Sequence, residues 1–171
     1  MVIWLMGISG AGKTTLGNRL KQYLDSLNKR AYIIDGDLVR DFFDNDLGYS
    51  REERVANIKR IMLAVHALSQ NSIITIVCNI HPFEELRAFA RRKIKDYNEI
   101  YLRIDTQTSR KADVKEMYKN NLGKTNIVGI DLNFDEPINC DLVIDTGGES
   151  EEESFSKILN HLENKYPESF N

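Results

Sequence analysis

Hydrophobic residues along this chain fall into short runs that are separated by longer stretches of mixed polarity. The runs have the length of buried strands, and they predict strands over 2–6, 31–35, 72–79, 99–105 and 141–146. The stretches between them are predicted to be helical over 13–28, 51–69, 83–95, 109–122 and 150–164. Over 51–69, apolar residues share one helical face while Arg and Lys residues lie opposite, so this helix is amphipathic.

Strands that alternate with helices predict an α/β fold with a mainly parallel sheet. Right-handed crossovers place helices on both faces, which gives a doubly wound, three-layer arrangement. No repeat, linker or low-complexity segment interrupts the chain, so residues 1–171 are predicted to form a single domain. Because ligands bind at the carboxyl ends of strands in such sheets, we expect one rim to hold residues 7–15, 35–37, 79–83 and Asp105.

Composition narrows the partners that such a fold could have. The 171 residues are 42% hydrophobic and 29% charged, as is usual for a globular protein. The net charge of −3 provides no basic field for nucleic acid or an anionic membrane, so a substrate anion would meet a few placed Arg and Lys residues. Of the two cysteines, Cys78 lies in an apolar run and is interpreted as a core thiol, which suits a reducing compartment. Since no apolar run could span a bilayer and no signal peptide precedes the first motif, a cytoplasmic protein without nucleic-acid or membrane partners is predicted.

The segment GISGAGKTT, residues 7–15, matches the phosphate-binding pattern G-x-x-x-x-G-K-[ST]. It follows a predicted strand and opens a predicted helix, which is the context that the pattern requires, and the fold is therefore predicted to be of the P-loop NTPase type. Glycines allow backbone N–H groups to turn inward around phosphates, Lys13 can reach the β and γ oxygens, and Thr14 offers a hydroxyl to Mg²⁺. The residues predicted to bind ATP are Gly7, Ser9, Gly10, Ala11, Gly12, Lys13, Thr14 and Thr15.

Several classes of protein carry such a loop, and the sequence argues against two of them. A GTPase would need a guanine-reading N-K-x-D late in the chain, and none is present. A motor or transport ATPase usually has an acidic residue at the end of an apolar strand beside the loop, whereas the strongest such strand here ends in Asn79. Small-molecule kinases remain.

The segment DGDLVR, residues 35–40, follows the second predicted strand and supplies the polar groups that a kinase needs. Asp35 and Asp37 can both face the cleft as the chain turns, so that one accepts a hydrogen bond from a substrate hydroxyl and the other supports Mg²⁺ or its waters. Arg40 offers a planar fork to an anion. Lys13, Asp35 and Asp37 are the predicted catalytic residues. Thr14 is predicted to contact the Mg²⁺ that ATP brings, and Asp35 to support this ion through water.

At this point the chain resembles the adenylylsulfate kinase (APS kinase) family, which uses MgATP to phosphorylate the ribose 3′-hydroxyl of adenosine 5′-phosphosulfate. The likeness covers nearly the whole chain. It rests on motifs in order: G-x-SGAGKTT at 7–15, DGD-x-VR at 35–40, LGYS-x-x-x-R-x-x-N at 47–57, IKRI at 58–61, a Pro-aromatic pair at 82–83, DVK-x-x-Y at 113–118, GID at 129–131 and P-x-x-x-DLVIDT at 137–146.

The resemblance implies roles for individual residues. Asp37 would be the base or hydroxyl acceptor with Asp35 supporting it, and Tyr49 would stack on the acceptor base. Arg54 and Asn57 share one helical face at i and i+3, as a joint role in holding the acceptor requires. The implied acceptor site comprises Asp37, Arg40, Tyr49, Arg54, Asn57, Ile80, His81, Lys115 and Ile127, with Lys115 in a lid over about 106–130. A homodimer is left open.

The chain departs from the family pattern mainly on the acceptor side. His81 stands where the family has a serine, and two roles remain open for it: contact with the anionic group of the acceptor, or capping of the next helix. Asn126-Ile127-Val128 replaces Gly-Phe-Thr, so one wall of an aromatic sandwich around adenine is lost. Losing one stacking face would weaken binding by about 1–3 kcal/mol.

This change favours a different acceptor over adenosine phosphosulfate. One branch of the family phosphorylates cytidine diphosphoramidate for capsule decoration, and the smaller, less aromatic pocket suits a pyrimidine. Adenosine phosphosulfate remains the alternative acceptor. A non-catalytic nucleotide-binding regulatory module is a rival from another class, which the Asp35/Asp37 pair argues against, and a sugar or shikimate kinase would not need Tyr49 or the Arg54/Asn57 pair.

Overall fold

The computed structural model describes residues 1–105, 128 and 132–170. Five strands form one sheet in the order β2-β3-β1-β4-β5, and every neighbouring pair is parallel. The strands are β1 (Val2–Met6), β2 (Ala31–Asp35), β3 (Ile74–Cys78), β4 (Tyr97–Arg103) and β5 (Leu142–Asp145). The five predicted strands and the parallel α/β fold are confirmed, with end points that differ by up to two residues.

Helices cover both faces of this sheet. They are α1 (Lys13–Ser26), α2 (Gly36–Phe42), α3 (Arg51–Gln70), α4 (Glu84–Lys93) and α5 (Glu151–Lys165), followed by a 3₁₀ turn over Pro167–Ser169. Four of these were expected from the sequence, and the predicted helix over 109–122 lies outside the described residues. No helix of the described part is long and apolar enough to cross a membrane.

Alternation along the central strand β1 divides the core into two layers. Val2, Trp4 and Met6 pack with apolar residues of α3 and α4, whereas Ile3 and Leu5 pack with those of α1 and α5. All five β1 side chains are fully buried, as in strands covered on both faces. β1 is the central strand, with β3 and β2 on one side of it and β4 and β5 on the other, so the direction in which strands are added reverses at β1. That reversal opens a crevice at the carboxyl end of β1, where ligands bind in such folds.

A capping box fixes where α3 begins. The Ser50 side chain accepts a hydrogen bond from the backbone N–H of Glu53 (3.3 Å), and the Ser50 N–H donates to the Glu53 carboxylate (3.0 Å). Such a box satisfies two backbone donors that the helix itself leaves unpaired. It sets the first turns of α3 so that Arg54 and Asn57 face the crevice.

Candidate active site

A cavity of about 390 Å³ lies at the carboxyl ends of β1, β2 and β3. It brings together most of the residues predicted from the sequence: Ser9, Gly10, Gly12, Lys13, Thr14, Thr15, Asp35, Asp37, Arg40, Tyr49, Arg54, Asn57 and Ile80. Gly7 and Ala11 belong to the same loop but do not line the cavity. The predicted lid lies outside the described residues except for Val128, and so do Lys115 and Ile127.

The loop between β1 and α1 has the backbone shape that its glycines allow. Gly10 and Gly12 have φ angles of 75° and 82°, a region that other residues adopt only with strain. Gly7 approaches the neighbouring strand so closely that a Cβ there would lie 2.4 Å from the Leu102 carbonyl oxygen. Gly12 is also the N-cap of α1, so the helix N-terminus with its unpaired N–H groups opens onto the cavity. Together these features make an anion site.

Lys13 lies at the start of α1, and its ammonium crosses the loop. The Nζ donates a hydrogen bond to the Ile8 carbonyl oxygen at 2.7 Å. This contact holds the positive charge over the space that the loop encloses. The arrangement suits the neutralisation of phosphate oxygens.

Thr14, Asp35 and Asp37 form a chain of contacts between the loop and α2. The Thr14 hydroxyl donates to Asp35 Oδ2 at 2.9 Å, and the backbone N–H of Asp37 donates to Asp35 Oδ1 at 2.9 Å. Both oxygens of Asp35 are therefore engaged, and its side chain caps α2. The Asp37 carboxylate has no hydrogen-bond partner among the described residues and lines the cavity. The two acids thus have different environments, with Asp37 the one open to a ligand.

The Thr14 hydroxyl and the Asp35 carboxylate have the donor chemistry of a magnesium site. Mg²⁺ prefers oxygen ligands and is usually held by one or two carboxylates together with phosphates and water. The described residues contain no group of three or more His, Cys, Asp or Glu side chains that could hold a metal. A site shared between these two side chains and a nucleotide fits this donor set.

Arg40 and Arg54 bring two positive charges to one aromatic ring. The Cζ atoms of Arg40 and Arg54 lie 4.5 Å and 5.2 Å from the centroid of the Tyr49 ring. Arg40 Nη1 donates to the carbonyl oxygens of Leu47 (2.9 Å) and Gly48 (2.8 Å), and Arg54 Nε donates to that of Tyr49 (3.0 Å). Burial lowers the pKa of Arg54 from its usual value, and repulsion from the Arg40 charge lowers it further. An anion between the two guanidinium groups would relieve this repulsion.

Asn57 lies where α3 meets α2 and is 2% exposed. Its Nδ2 donates to the Gly36 carbonyl oxygen at 3.3 Å, which leaves Oδ1 without a hydrogen-bond partner among the described residues. A buried acceptor of this kind is costly unless it is paired. Since Asn57 lines the cavity, a ligand hydroxyl could satisfy it.

His81 has neither of the two roles that the sequence left open for it. Its side chain is fully buried and stacks on the Trp4 ring with a centroid distance of 4.5 Å, away from the cavity lining. Burial, with Arg87 and Arg91 contributing, lowers the pKa of His81 to about 3, so the ring is neutral at physiological pH. It therefore offers no positive charge to an acceptor anion. It does not cap α4 either, because the N-cap residue is Phe83.

Sequence reasoning missed the helix α2, and it placed Asn79 on the binding rim without giving it a role in the site. Residues 36–42 are too short for a periodic pattern, although Asp35 followed by an acidic residue in the first turn is a helix-start signal. Asn79 lines the cavity, and its Oδ1 accepts from the His81 N–H at 2.8 Å. A Cβ on Gly36 would lie 2.6 Å from Asn79 Nδ2, so a larger residue there would displace the Asn79 side chain. The end of a predicted strand already placed Asn79 on this rim, whereas its hydrogen bond with His81 is visible only in the structure.

With this geometry in hand, comparisons with known proteins identify relatives. The family model described as "Adenylylsulphate kinase" matches residues 1–145. The adenylyl-sulfate kinase of Halothermothrix orenii is 36% identical over 167 residues, which cover 96% of this chain and 90% of that protein. The probable adenylyl-sulfate kinase of Archaeoglobus fulgidus is 40% identical over 147 residues, which cover 85% of this chain and 95% of that protein.

A solved structure agrees with these relatives. The Mycobacterium tuberculosis APS kinase CysC, in complex with AMPPNP and APS, superimposes with a TM-score of 0.85 at 28% identity, and the match covers 95% of this chain and 96% of that one. The likeness therefore extends over the sheet, its helices and the phosphate-binding loop. Sequence motifs, cavity and relatives agree that this chain belongs to the adenylylsulphate kinase family and is an ATP-dependent phosphotransferase with an alcohol acceptor.

Proposed function

We propose that this chain transfers the γ-phosphoryl group of ATP to the 3′-hydroxyl of adenosine 5′-phosphosulfate. The relatives reported above are named adenylyl-sulfate kinases or an APS kinase, which supports this acceptor. They give no support to cytidine diphosphoramidate or to a role in capsule decoration, which the sequence favours through Ile127. We therefore prefer adenosine phosphosulfate, which was the alternative acceptor when only the sequence was considered.

One observation supports the proposal most strongly: a single cavity holds both ends of the reaction. The phosphate-binding loop lines it together with the guanidinium groups of Arg40 and Arg54 and the carboxylate of Asp37, which accepts no hydrogen bond from the described residues. A sulfate-bearing nucleotide carries two adjacent anionic groups, which two arginines can meet. A plain sugar carries no anion to place between the guanidinium groups of Arg40, which is buried, and Arg54, which is partly buried.

The reaction at this site depends on positioning and on charge. The loop N–H groups and Lys13 would hold the transferring phosphoryl oxygens, and Arg40 and Arg54 would fix the acceptor anion. Asp37 would accept the hydrogen bond of the attacking hydroxyl and take up its proton as the phosphoryl group transfers to the oxygen. No covalent enzyme intermediate is needed, since alignment and preorganised charge supply the rate enhancement.

Thr14 and Asp35 would hold Mg²⁺ together with the nucleotide phosphates. The ion would supply additional positive charge to the β and γ oxygens. The role of Asp35 is then to orient both the Thr14 hydroxyl and the first turn of α2, which carries Asp37. This division gives each of the two acids a separate task.

Tyr49 is expected to govern affinity for the acceptor. Removing the ring in Tyr49→Leu takes away the surface that orders two guanidinium groups and would stack on the base, and base stacking is worth about 1–3 kcal/mol. The KM for the acceptor should rise by roughly tenfold to a hundredfold, because each decade corresponds to about 1.4 kcal/mol. Tyr49→Phe keeps the ring and is the matched control. Steady-state kinetics with each substrate varied in turn would contradict this role if the KM for ATP rose equally.

A turnover screen tests the acceptor. The protein with MgATP is expected to phosphorylate adenosine phosphosulfate with a higher kcat/KM than cytidine diphosphoramidate. Both acceptors carry two adjacent anionic groups, but the larger adenine base offers more stacking area to Tyr49. Product formation should be followed by chromatography for each acceptor, with plain nucleotides, a hexose and shikimate as controls. A preference for the cytidine compound would show that cytidine diphosphoramidate is the acceptor. We would then expect Ile127→Phe to reduce the ratio of the two kcat/KM values.

The same screen separates the rival classes. A regulatory module would bind ATP and turn over no acceptor, whereas a sugar or shikimate kinase would turn over a control compound. Sedimentation would check for the homodimer, which the sequence leaves open. Among the described residues, a second copy could cover the apolar face of α2 and α3, where Leu38, Phe42 and Leu63 are 55%, 81% and 71% exposed.

A further inference from the structure

Arg87, in the first turn of α4, is fully buried, which is rare for an arginine. It faces Glu99 of β4, also fully buried, with Arg87 Nε 3.5 Å from Glu99 Oε1. Arg91, one helical turn later, also contacts Glu99, at 2.5 Å. Neutralising Glu99 therefore does not depend on Arg87 alone. The other contacts of Arg87 indicate a second role for this side chain.

Those contacts reach two separate loops. Arg87 Nη1 donates to the His81 carbonyl oxygen at 3.0 Å, and Nη2 donates to the Asp135 carbonyl oxygen at 2.6 Å. Arg87 Nε also donates to Glu84 at 2.9 Å. A guanidinium group is suited to this task because its donors lie in one plane and point in several fixed directions. One side chain thus joins the loop before α4 to the segment around Asp135 that leads to β5.

The same two loops are also bonded directly to each other. The Asp135 N–H donates to the Pro82 carbonyl oxygen at 2.9 Å, and the Glu84 N–H donates to the Asp135 carboxylate at 3.0 Å. Ile80 and Pro82 line the active-site cavity on this side. The network around Arg87 is therefore the outer support of one cavity wall.

The backbone of that wall is held in a strained conformation. His81 has a φ of 50°, the left-handed region that residues with a side chain enter at a cost. Such a conformation persists only where the surroundings determine it. Asn79 Oδ1 fixes the His81 N–H, Trp4 stacks on the ring, and Arg87 holds the carbonyl oxygen.

We propose that Arg87 is a positioning residue for the acceptor pocket: it holds the turn at His81 so that Ile80 and Pro82 keep their places in the cavity wall. It acts through backbone carbonyl oxygens and touches no substrate. Only the identity of the acceptor rests on the proposed function. The role itself applies to whichever acceptor the protein turns over.

The test compares Arg87→Met and Arg87→Lys with the wild type. We expect Arg87→Met to raise the KM for the acceptor at least tenfold and to leave the KM for ATP within twofold, since the contacts of Arg87 reach His81, Asp135, Glu84 and Glu99 but no residue of the phosphate-binding loop. Arg87→Lys keeps the charge opposite Glu99 but not the planar fork. It should recover thermal stability while the acceptor KM stays raised. If Arg87 had a purely structural role, Arg87→Lys would restore both the thermal stability and the KM for the acceptor.

Arg91→Met is the matched control. Arg91 lies on the same helix and contacts Glu84 and Glu99, but it bonds neither His81 nor Asp135. It should lose thermal stability without a change in the ratio of the two KM values. An equal shift of the acceptor KM in Arg91→Met, or an unchanged acceptor KM in Arg87→Met, would overturn the proposal.

Should Arg87→Met fail to fold, the double variant Arg87→Met/Glu99→Gln removes the buried carboxylate that faces the missing charge. It is expected to fold and to show the same raised acceptor KM, and a normal KM in this variant would reject the proposal. Failure of the proposed function would have a different signature, because the wild type would then not turn over adenosine phosphosulfate. The KM comparison would in that case be made with the acceptor that the turnover screen identifies.

Discussion

Replacing Lys13 by alanine is expected to lower kcat by about a hundredfold to a thousandfold, the size of effect seen when one preorganised donor is removed from a developing charge. The ammonium now crosses the loop to the Ile8 carbonyl oxygen, at the place where phosphate oxygens would lie. Its contribution should grow as charge redistributes in the transition state, so that kcat suffers more than the KM for ATP. Steady-state kinetics with ATP varied would measure both.

Lys21→Ala is the matched control for Lys13→Ala. Lys21 lies two turns further along α1 and pairs with Asp25 on the surface at 2.6 Å. Surface pairs of this kind contribute little, so kcat should not change. If Lys13→Ala kept a near-normal kcat and altered only the KM for ATP, the transition-state role would be wrong.

Asp37→Asn is expected to lower kcat by about 10²–10⁴-fold, the usual contribution of a general base. The amide is nearly isosteric, and the Asp37 backbone N–H keeps its bond to Asp35, so fold and ATP binding should persist. What changes is the ability to take the hydroxyl proton. Kinetics together with calorimetric titration of ATP would separate the lost chemistry from retained binding.

The matched variant Asp35→Asn checks the division of labour between the two acids. Asp35 accepts hydrogen bonds from Thr14 and from the N-terminus of α2, so its loss should increase the Mg²⁺ concentration needed and reduce stability. A milder effect on kcat than that of Asp37→Asn is expected. If Asp35→Asn lowered kcat more than Asp37→Asn did, the two roles would have to be exchanged.

The acceptor side shows where reasoning from the sequence alone is weakest. The preference for a cytidine acceptor depends on Ile127, which lies outside the described residues, and relatives named adenylyl-sulfate kinases favour the other acceptor. Base identity depends on the shape of a pocket to which distant segments contribute. A substitution in one wall says little until the opposite wall is known.

By itself the sequence determined the parallel fold and the phosphate-binding end of the site. Both are encoded locally: apolar runs predict strands wherever they lie, and the loop at 7–15 carries its glycines, its lysine and its helix start in one continuous segment. The placement of Asp35 and Asp37 at the cavity was predictable for the same reason. Their spacing at a strand end is visible in the chain, although the hydrogen bond that engages Asp35 with Thr14 is not.

Tertiary structure alone decided which side chains on the acceptor side face the ligand and which support it. His81 stands at a position that suggests contact with an anion, yet Trp4 covers its ring, and burial keeps it neutral. Arg87 has the sequence pattern of an ordinary surface arginine, yet it lies at 0% exposure and joins two loops. Burial and long-range hydrogen bonds depend on which residues pack across the fold, and that information is distributed over the whole chain.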